Sequence, residues 1–186
     1  VIKMMIPTIP TPEEILDNGI YFSTFSNNNF TSLTIPYSLA SISNTSFNNN
    51  QLPDAQAFIY ARKNDGSIDN TTVIGYGGAK KENVVIPSTV TTIGEFAFSQ
   101  NNITSVIIPE GVETIGYCAF DYNQLTTVTI PSTVTSIGYD AFKSYEPWNS
   151  NPDLASIIIN KAAGTIEDEY GNHWGAPDAT VTWTGN

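Results

Sequence analysis

Phe120–Phe142 reads FDYNQLTTVTIPSTVTSIGYDAF, and Phe98–Phe120 reads FSQNNITSVIIPEGVETIGYCAF. The two stretches superpose position by position. Internal periodicity of this kind decides a fold before any local propensity does. The Ile-Pro pairs supply the ruler, since Ile86-Pro87, Ile108-Pro109 and Ile130-Pro131 each stand 22 residues apart. On that ruler Val90, Val112 and Val134 align, as do Ile93, Ile115 and Ile137, each followed by Gly. Phe98, Phe120 and Phe142 align next, then Asn101 with Asn123, and Ile103 with Leu125.

The register extends in both directions. Ile35-Pro36, Leu39, Ile42, Phe47, Asn50 and Leu52 sit at the expected offsets, and Ile20, Phe25, Asn28, Phe30 and Leu33 form part of an earlier unit. Forward, Leu154, Ile157 and Ile159 match Leu125, Val128 and Ile130 at a spacing of 29. Between Ala57 and Ile86 the repeat lapses.

A 22-residue period is too long for a heptad and too short for a helix pair. It suits one coil of a β-containing solenoid, in which each coil buries its apolar side only when a neighbour stacks on it. Leu-x-x-Val-x-Ile alternates as a short strand does, and the following Pro cannot donate to a ladder. YDAF reads as a single helical turn. Six rungs are expected in one parallel sheet (33–35, 55–57, 84–86, 106–108, 128–130 and 157–159), about 24 Å across at ~4.8 Å per strand. Phe25, Phe47, Phe98, Phe120 and Phe142 are expected to stack, and Asn28, Asn50, Asn101 and Asn123 to form a ladder serving buried backbone groups.

These residues carry a resemblance. IPSTVTSIGYDAF followed by a loop and LTTVTIP resembles the BspA-like (Treponema-type) bacterial leucine-rich repeat, directly over Phe25–Ala57 and Val84–Ile159. The resemblance implies a right-handed leucine-rich-repeat superhelix of short parallel strands and single helical turns. It also implies a secreted or cell-surface, adhesion-type protein. The chain departs from the family pattern at Phe58–Gly78 and at Tyr145–Pro152.

The expected organisation is a lead-in cap over 1–19, repeats over 20–57, an inserted β-hairpin over 58–83 in place of a coil, repeats over 84–159, and a C-terminal cap over 160–186. Asp65-Gly66 between β-branched runs marks the hairpin turn. The opening at Val1, without Met or a basic-then-apolar leader, reads as a mature or excised fragment.

Composition narrows the partners. Charged residues make up 13% of the chain, about half the ~25% of ordinary soluble proteins, and the net charge is −11. Such a field repels nucleic acid and anionic lipid. No apolar run reaches the ~18–20 residues that cross a bilayer. Arg62, Lys63, Lys80 and Lys81 hold four of the seven basic residues. They read as solvated hairpin ends, with docking of an acidic partner as the alternative.

Chemistry is hard to find. His173 is the sole histidine and Cys118 the sole cysteine, so no cofactor or metal is expected. Cys118 shares its offset with Phe96 and Asp140, which reads as a tolerant slot near the surface. Glu95, Glu110, Glu113, Asp121 and Asp140 read as solubilising charge. Glu167-Asp168-Glu169 lacks the alternating ligands of a calcium loop. Trp148, Trp174 and Trp183 read as closing the solenoid end, in preference to a sugar platform.

No enzyme is therefore expected. The outward strand positions Thr34, Val85, Ile107, Thr129 and Ile158 are the expected binding face, weakly polar with an aliphatic stripe. An unknown protein or glycan is the expected partner, host matrix proteins among the candidates, with the chain a monomer. The alternatives are a structural spacer, or a carbohydrate-binding accessory module of a larger extracellular protein.

Overall fold

The computed structural model describes residues 24–35, 42–143, 154–169 and 171–185. The expected lead-in over 1–19, the repeat positions Ile20, Pro36 and Leu39, and the whole lengthened loop at 145–152, Trp148 included, lie outside them. The chain forms a β-solenoid of about four turns with almost no helix.

Each regular coil has three sides, of which the second and third are bonded from coil to coil and the first is bonded in two separate sheets. The first side holds β3 (Val84–Val85) and β5 (Val106–Ile107), paired in parallel with Val85 opposite Ile107. Further along, β7 (Thr127–Ile130), β9 (Ser156–Ile159) and β10 (Thr180–Trp183) form a three-stranded parallel sheet in the order β10-β9-β7. The second side is a sheet absent from the sequence expectation. It contains β1 (Phe58–Arg62), β2 (Ile68–Tyr76), β4 (Thr92–Ile93), β6 (Thr114–Ile115) and β8 (Ser136–Ile137), in that order. Its parallel rungs pair Thr92 with Thr114 and Thr114 with Ser136. The third side is a turn, laddered by Phe98 N donating to Ala119 O (2.8 Å) and Phe120 N donating to Ala141 O (2.8 Å).

Two expectations about these sides need correction. YDAF and its equivalents are turns, not helical turns. Phe96, Cys118 and Asp140 hold φ of 56°, 49° and 56°, a left-handed conformation that interrupts any right-handed helical run. Nor do six rungs share one sheet. Pro53 is followed by a 3-10 turn at Asp54–Gln56, and the Leu33 N–H donates to the Gln56 side chain (2.9 Å) and not to a strand. The expected pairing of Val106–Ile108 with Val128–Ile130 is also missing: β5 and β7 lie side by side in separate sheets.

The interior is stacked columns. Val90, Val112 and Val134 are buried, as are Ile93, Ile115 and Ile137, and Ala97, Ala119 and Ala141. Phe98 and Phe120 stack at 4.9 Å with their planes 12° apart, and Phe120 and Phe142 at 5.8 Å and 11°. The glycine after each Ile is required by contact. A Cβ on Gly138 would stand 2.5 Å from Tyr117 N and 2.6 Å from Gly116 C, and one on Gly116 would stand 2.7 Å from Glu95 N. Any side chain there would push the coils apart.

Where the repeat lapses, β1 and β2 pair antiparallel around the exposed Lys63–Ser67 turn. The lapse is incomplete. Tyr76 stands 22 residues before Phe98 and stacks on it at 5.4 Å, while β2 also pairs in parallel with β4. The aromatic column therefore runs Tyr76, Phe98, Phe120, Phe142. Phe25 and Phe47 form a separate stack at 5.4 Å, and Phe47 packs with Ile59 and Ile74 in a core cluster of its own.

Candidate binding face and the polar columns

The first side of the coils presents its alternate residues outward because strand side chains alternate. Val85 is 52% exposed and Ile107 51%, directly opposite each other on paired strands. Thr129 is exposed and pairs with the half-buried Ile158. Thr34 is exposed but outside any sheet. The face is thus two patches, an aliphatic one on β3–β5 and a more polar one on β7–β9. Neither holds a charged side chain among these positions, so contact there draws on apolar burial and hydrogen bonding.

The polar residues are sorted by burial. Asn123 is buried, and its amide donates to Phe98 O (2.8 Å), Phe120 O (2.9 Å) and Asp121 O (3.1 Å). Its carbonyl accepts from Asn101 N (3.2 Å) and Ile103 N (3.0 Å). One side chain thereby ties two successive coils. Asn50 does the same on the far side of the lapse, donating to Phe25 O and Phe47 O and accepting from Phe30 N. Asn101 donates to Ser99 O and accepts from Asn49 N. Asn28 differs: it is exposed and donates only locally, to Ser26 O.

A second polar column escaped the sequence reading. Asn48, Ser99 and Asp121 follow Phe47, Phe98 and Phe120, and all three are buried. The signal was present, since a polar residue follows Phe25, Phe47, Phe98, Phe120 and Phe142 alike. Asn48 donates to Phe96 O and Ser99 O and accepts from Tyr76 N (3.1 Å), joining segments 48 residues apart across the lapse.

Burial corrects two more expectations. Cys118 is buried, and desolvation pushes its thiol up to about 12. Cys118 and Asp140 are interior while Phe96 at the same offset is half-buried, and a buried, protonated thiol offers no nucleophile. Asp121 and Asp140 are buried as well, whereas Glu95, Glu110 and Glu113 are exposed. Burial raises the Asp121 carboxyl to about 6, against hydrogen bonds from Ser99 and Cys118 that lower it, and its Oδ1 has no partner. Asp140 is ion-paired with Lys143.

The basic residues near the hairpin do not all face water. Lys63 and Lys80 are exposed, but Arg62 and Lys81 are half-buried. The Lys81 ammonium sits 5.9 Å from the Tyr76 ring, and burial lowers it to about 8. At the far end, Trp174 is buried, its Nε1 donating to Glu167 O (3.1 Å) and its carbonyl accepting from Phe142 N (2.9 Å). Trp183 packs half-buried against the same core. His173 N donates to an Asp168 carboxylate oxygen (2.8 Å). Among the described residues no cluster of His, Cys, Asp and Glu could hold a metal, and no helix is long and apolar enough to cross a membrane.

Stacked coils of 22 residues, with a Phe column and an Asn tie between coils, meet a family pattern. The one described as BspA type leucine-rich repeat region matches in six copies, over residues 18–58 and 75–170. The chain belongs to this family. No curated protein and no solved structure matches it. The second matched stretch begins at Gly75, so the rung carried by Tyr76 falls within it. The family's proteins are commonly surface-associated and generally non-enzymatic.

Proposed function

We propose that this chain is a non-enzymatic, secreted or cell-surface repeat protein, a right-handed monomeric solenoid that presents its first side to a protein or glycan partner in adhesion. The observation that carries the reading is the Val85–Ile107 pair. Two large aliphatic side chains, each about half exposed, stand opposite one another on a rigid ladder and are held there by buried columns on their inner side. Exposed apolar groups on rigid elements suit recognition by burial, and the weakly polar surroundings suit hydrogen bonding at a rim. Thr129 and Ile158 extend the contact, with Thr34 at a distance from it. A patch of this size grips one loop or strand and cannot wrap a large partner.

The test is binding of the chain to immobilised host matrix proteins and to glycan arrays. Saturable binding that is lost in Ile107→Lys and weakened in Thr129→Lys supports the reading. Binding that both substitutions leave intact removes it.

A further inference from the structure

The two sides of the solenoid end at different places. On the first side, β9 and β10 add two rungs beyond β7, while on the second side the five-stranded sheet stops at β8. The next coil does carry the matching residues. Thr165-Ile166 stand 29 after Ser136-Ile137, the same shift that relates Ile159 to Ile130, and Ile166 is buried. Yet Thr165-Ile166 does not pair with β8.

The cause lies one residue on. Glu167 occupies the place of Gly138, where a Cβ would stand 2.5 Å from backbone of the preceding coil. A glutamate there cannot dock, so the coil stands off and leaves a cleft of about 250 Å³. Thr135, Ser136 and Ile137 form one wall, and Glu167, Asp168 and Glu169 contribute to the other. Tyr139, 43% exposed, flanks the opening and stacks on Tyr117 at 6.2 Å.

The wall at β8 is an acceptor row. In the earlier coils, Thr91 O accepts from Glu113 N and Thr114 N, and Ile93 O from Gly116 N. Glu113 O and Ile115 O then accept from Thr135 N, Ser136 N and Gly138 N. The corresponding carbonyls of Thr135 and Ile137 accept nothing among the described residues. An acceptor row with ladder spacing is completed by the N–H groups of an added strand. Three carboxylates and no cation among the described lining residues select a positive side chain on that strand.

We infer that this cleft binds an extended peptide segment bearing Lys or Arg, which pairs in parallel with β8 and sets its cations against Glu167 and Glu169. The volume is below the ~300–1,000 Å³ of drug-sized ligand pockets, and so suits two or three residues of a chain. Tyr139 covers the aliphatic stem of a basic side chain or stacks under its cation.

Fluorescence anisotropy with a labelled, capped octapeptide of alternating Lys and Val tests this. Glu167 and Glu169 are exposed and their carboxylates hold no hydrogen bond among the described residues, so Glu167→Gln with Glu169→Gln leaves the fold intact. The Lys/Val peptide should bind saturably, about tenfold more weakly to the double variant and more weakly at high salt. A copy N-methylated at alternate residues should lose binding, and Ile107→Lys should keep it, which separates this cleft from the β3–β5 face. NMR shifts should fall on Ser136–Tyr139, on Glu167–Glu169 and on Asn172. Equal binding of a Glu/Val peptide or of the N-methylated copy overturns the inference. So does saturable binding of cellohexaose or chitohexaose at the cleft in place of peptide, or no binding of the Lys/Val peptide.

Discussion

The coils at 84–143 and the segment at 24–62 use the same residues to different effect. In the first, Phe98, Phe120 and Phe142 lie in one unbroken column and their glycines let the backbones touch. In the second, Phe25 is only half-buried, Phe47 stacks on it alone, and the small cluster of Phe47, Ile59 and Ile74 stands apart from the main core. Repetition confers stability through neighbours on both sides, and among the described residues the Phe25 ring has a stacked neighbour on one side, Phe47. The equivalence of two positions in sequence is therefore no measure of their equivalence in energy.

Phe120→Ala should have the largest effect. The ring is buried and sandwiched at 4.9 and 5.8 Å, so its loss combines transfer, cavity and stacking contributions, about 3–5 kcal/mol in urea unfolding. Phe25→Ala should cost about 1 kcal/mol, because half the ring is already wet and, among the described residues, only Phe47 stacks on it, with Phe30 tilted against it at 6.1 Å. Equal losses would mean that both regions unfold as one unit with equal coupling.

The asparagines give the next contrast. Asn123→Ala strands carbonyls of Phe98 and Phe120 and the N–H groups of Asn101 and Ile103 in a dry turn, a loss of roughly 2–4 kcal/mol. Asn28→Ala removes one exposed local bond and should stay within about 0.5 kcal/mol. Amide exchange would locate the damage, with protection lost at Ile103 in the first variant.

Much of this contrast was legible in the sequence. The period, the aromatic column and the buried Asn positions follow from 22-residue offsets, because side chains at one offset meet the same surroundings in every regular coil. The first described coil broke that premise: Asn28 has the offset of Asn123 but bonds only to Ser26 O among the described residues. The second sheet was not legible, since Thr92–Ile93 and its equivalents are two-residue strands with too few positions to show alternation. Tyr76 was hidden by the inserted hairpin around it, although its distance to Phe98 gave it away. The turn that carries Cys118 and Asp140 is left-handed at non-glycine residues, which composition does not announce. The candidate face was legible as outward alternation, whereas its division into two patches depended on where ladder bonds stop.

A pH titration would sharpen the comparison further, since buried Asp121 belongs to the regular coils alone. Its carboxyl is raised to about 6 by burial, from ~3.9 in an unfolded chain. The folded state therefore binds the proton more tightly. The penalty of ionising it is absent below about pH 4, grows as pH rises to 6, and is complete above that. Asp121→Asn should remove this dependence and raise stability at pH 7 by on the order of 2–3 kcal/mol, less whatever the Ser99 and Cys118 hydrogen bonds return to the carboxylate. The groups facing it work in opposite directions. Asp140 raises the Asp121 carboxyl further and Lys143 lowers it, so Lys143→Met should strip away the cation and enlarge the pH dependence. Unfolding midpoints measured between pH 4 and 7 for the three proteins decide the point. A wild-type curve that is flat or rising through this window, or one that Asp121→Asn leaves unchanged in shape, would show the carboxylate to be ionised at no cost in the folded coil.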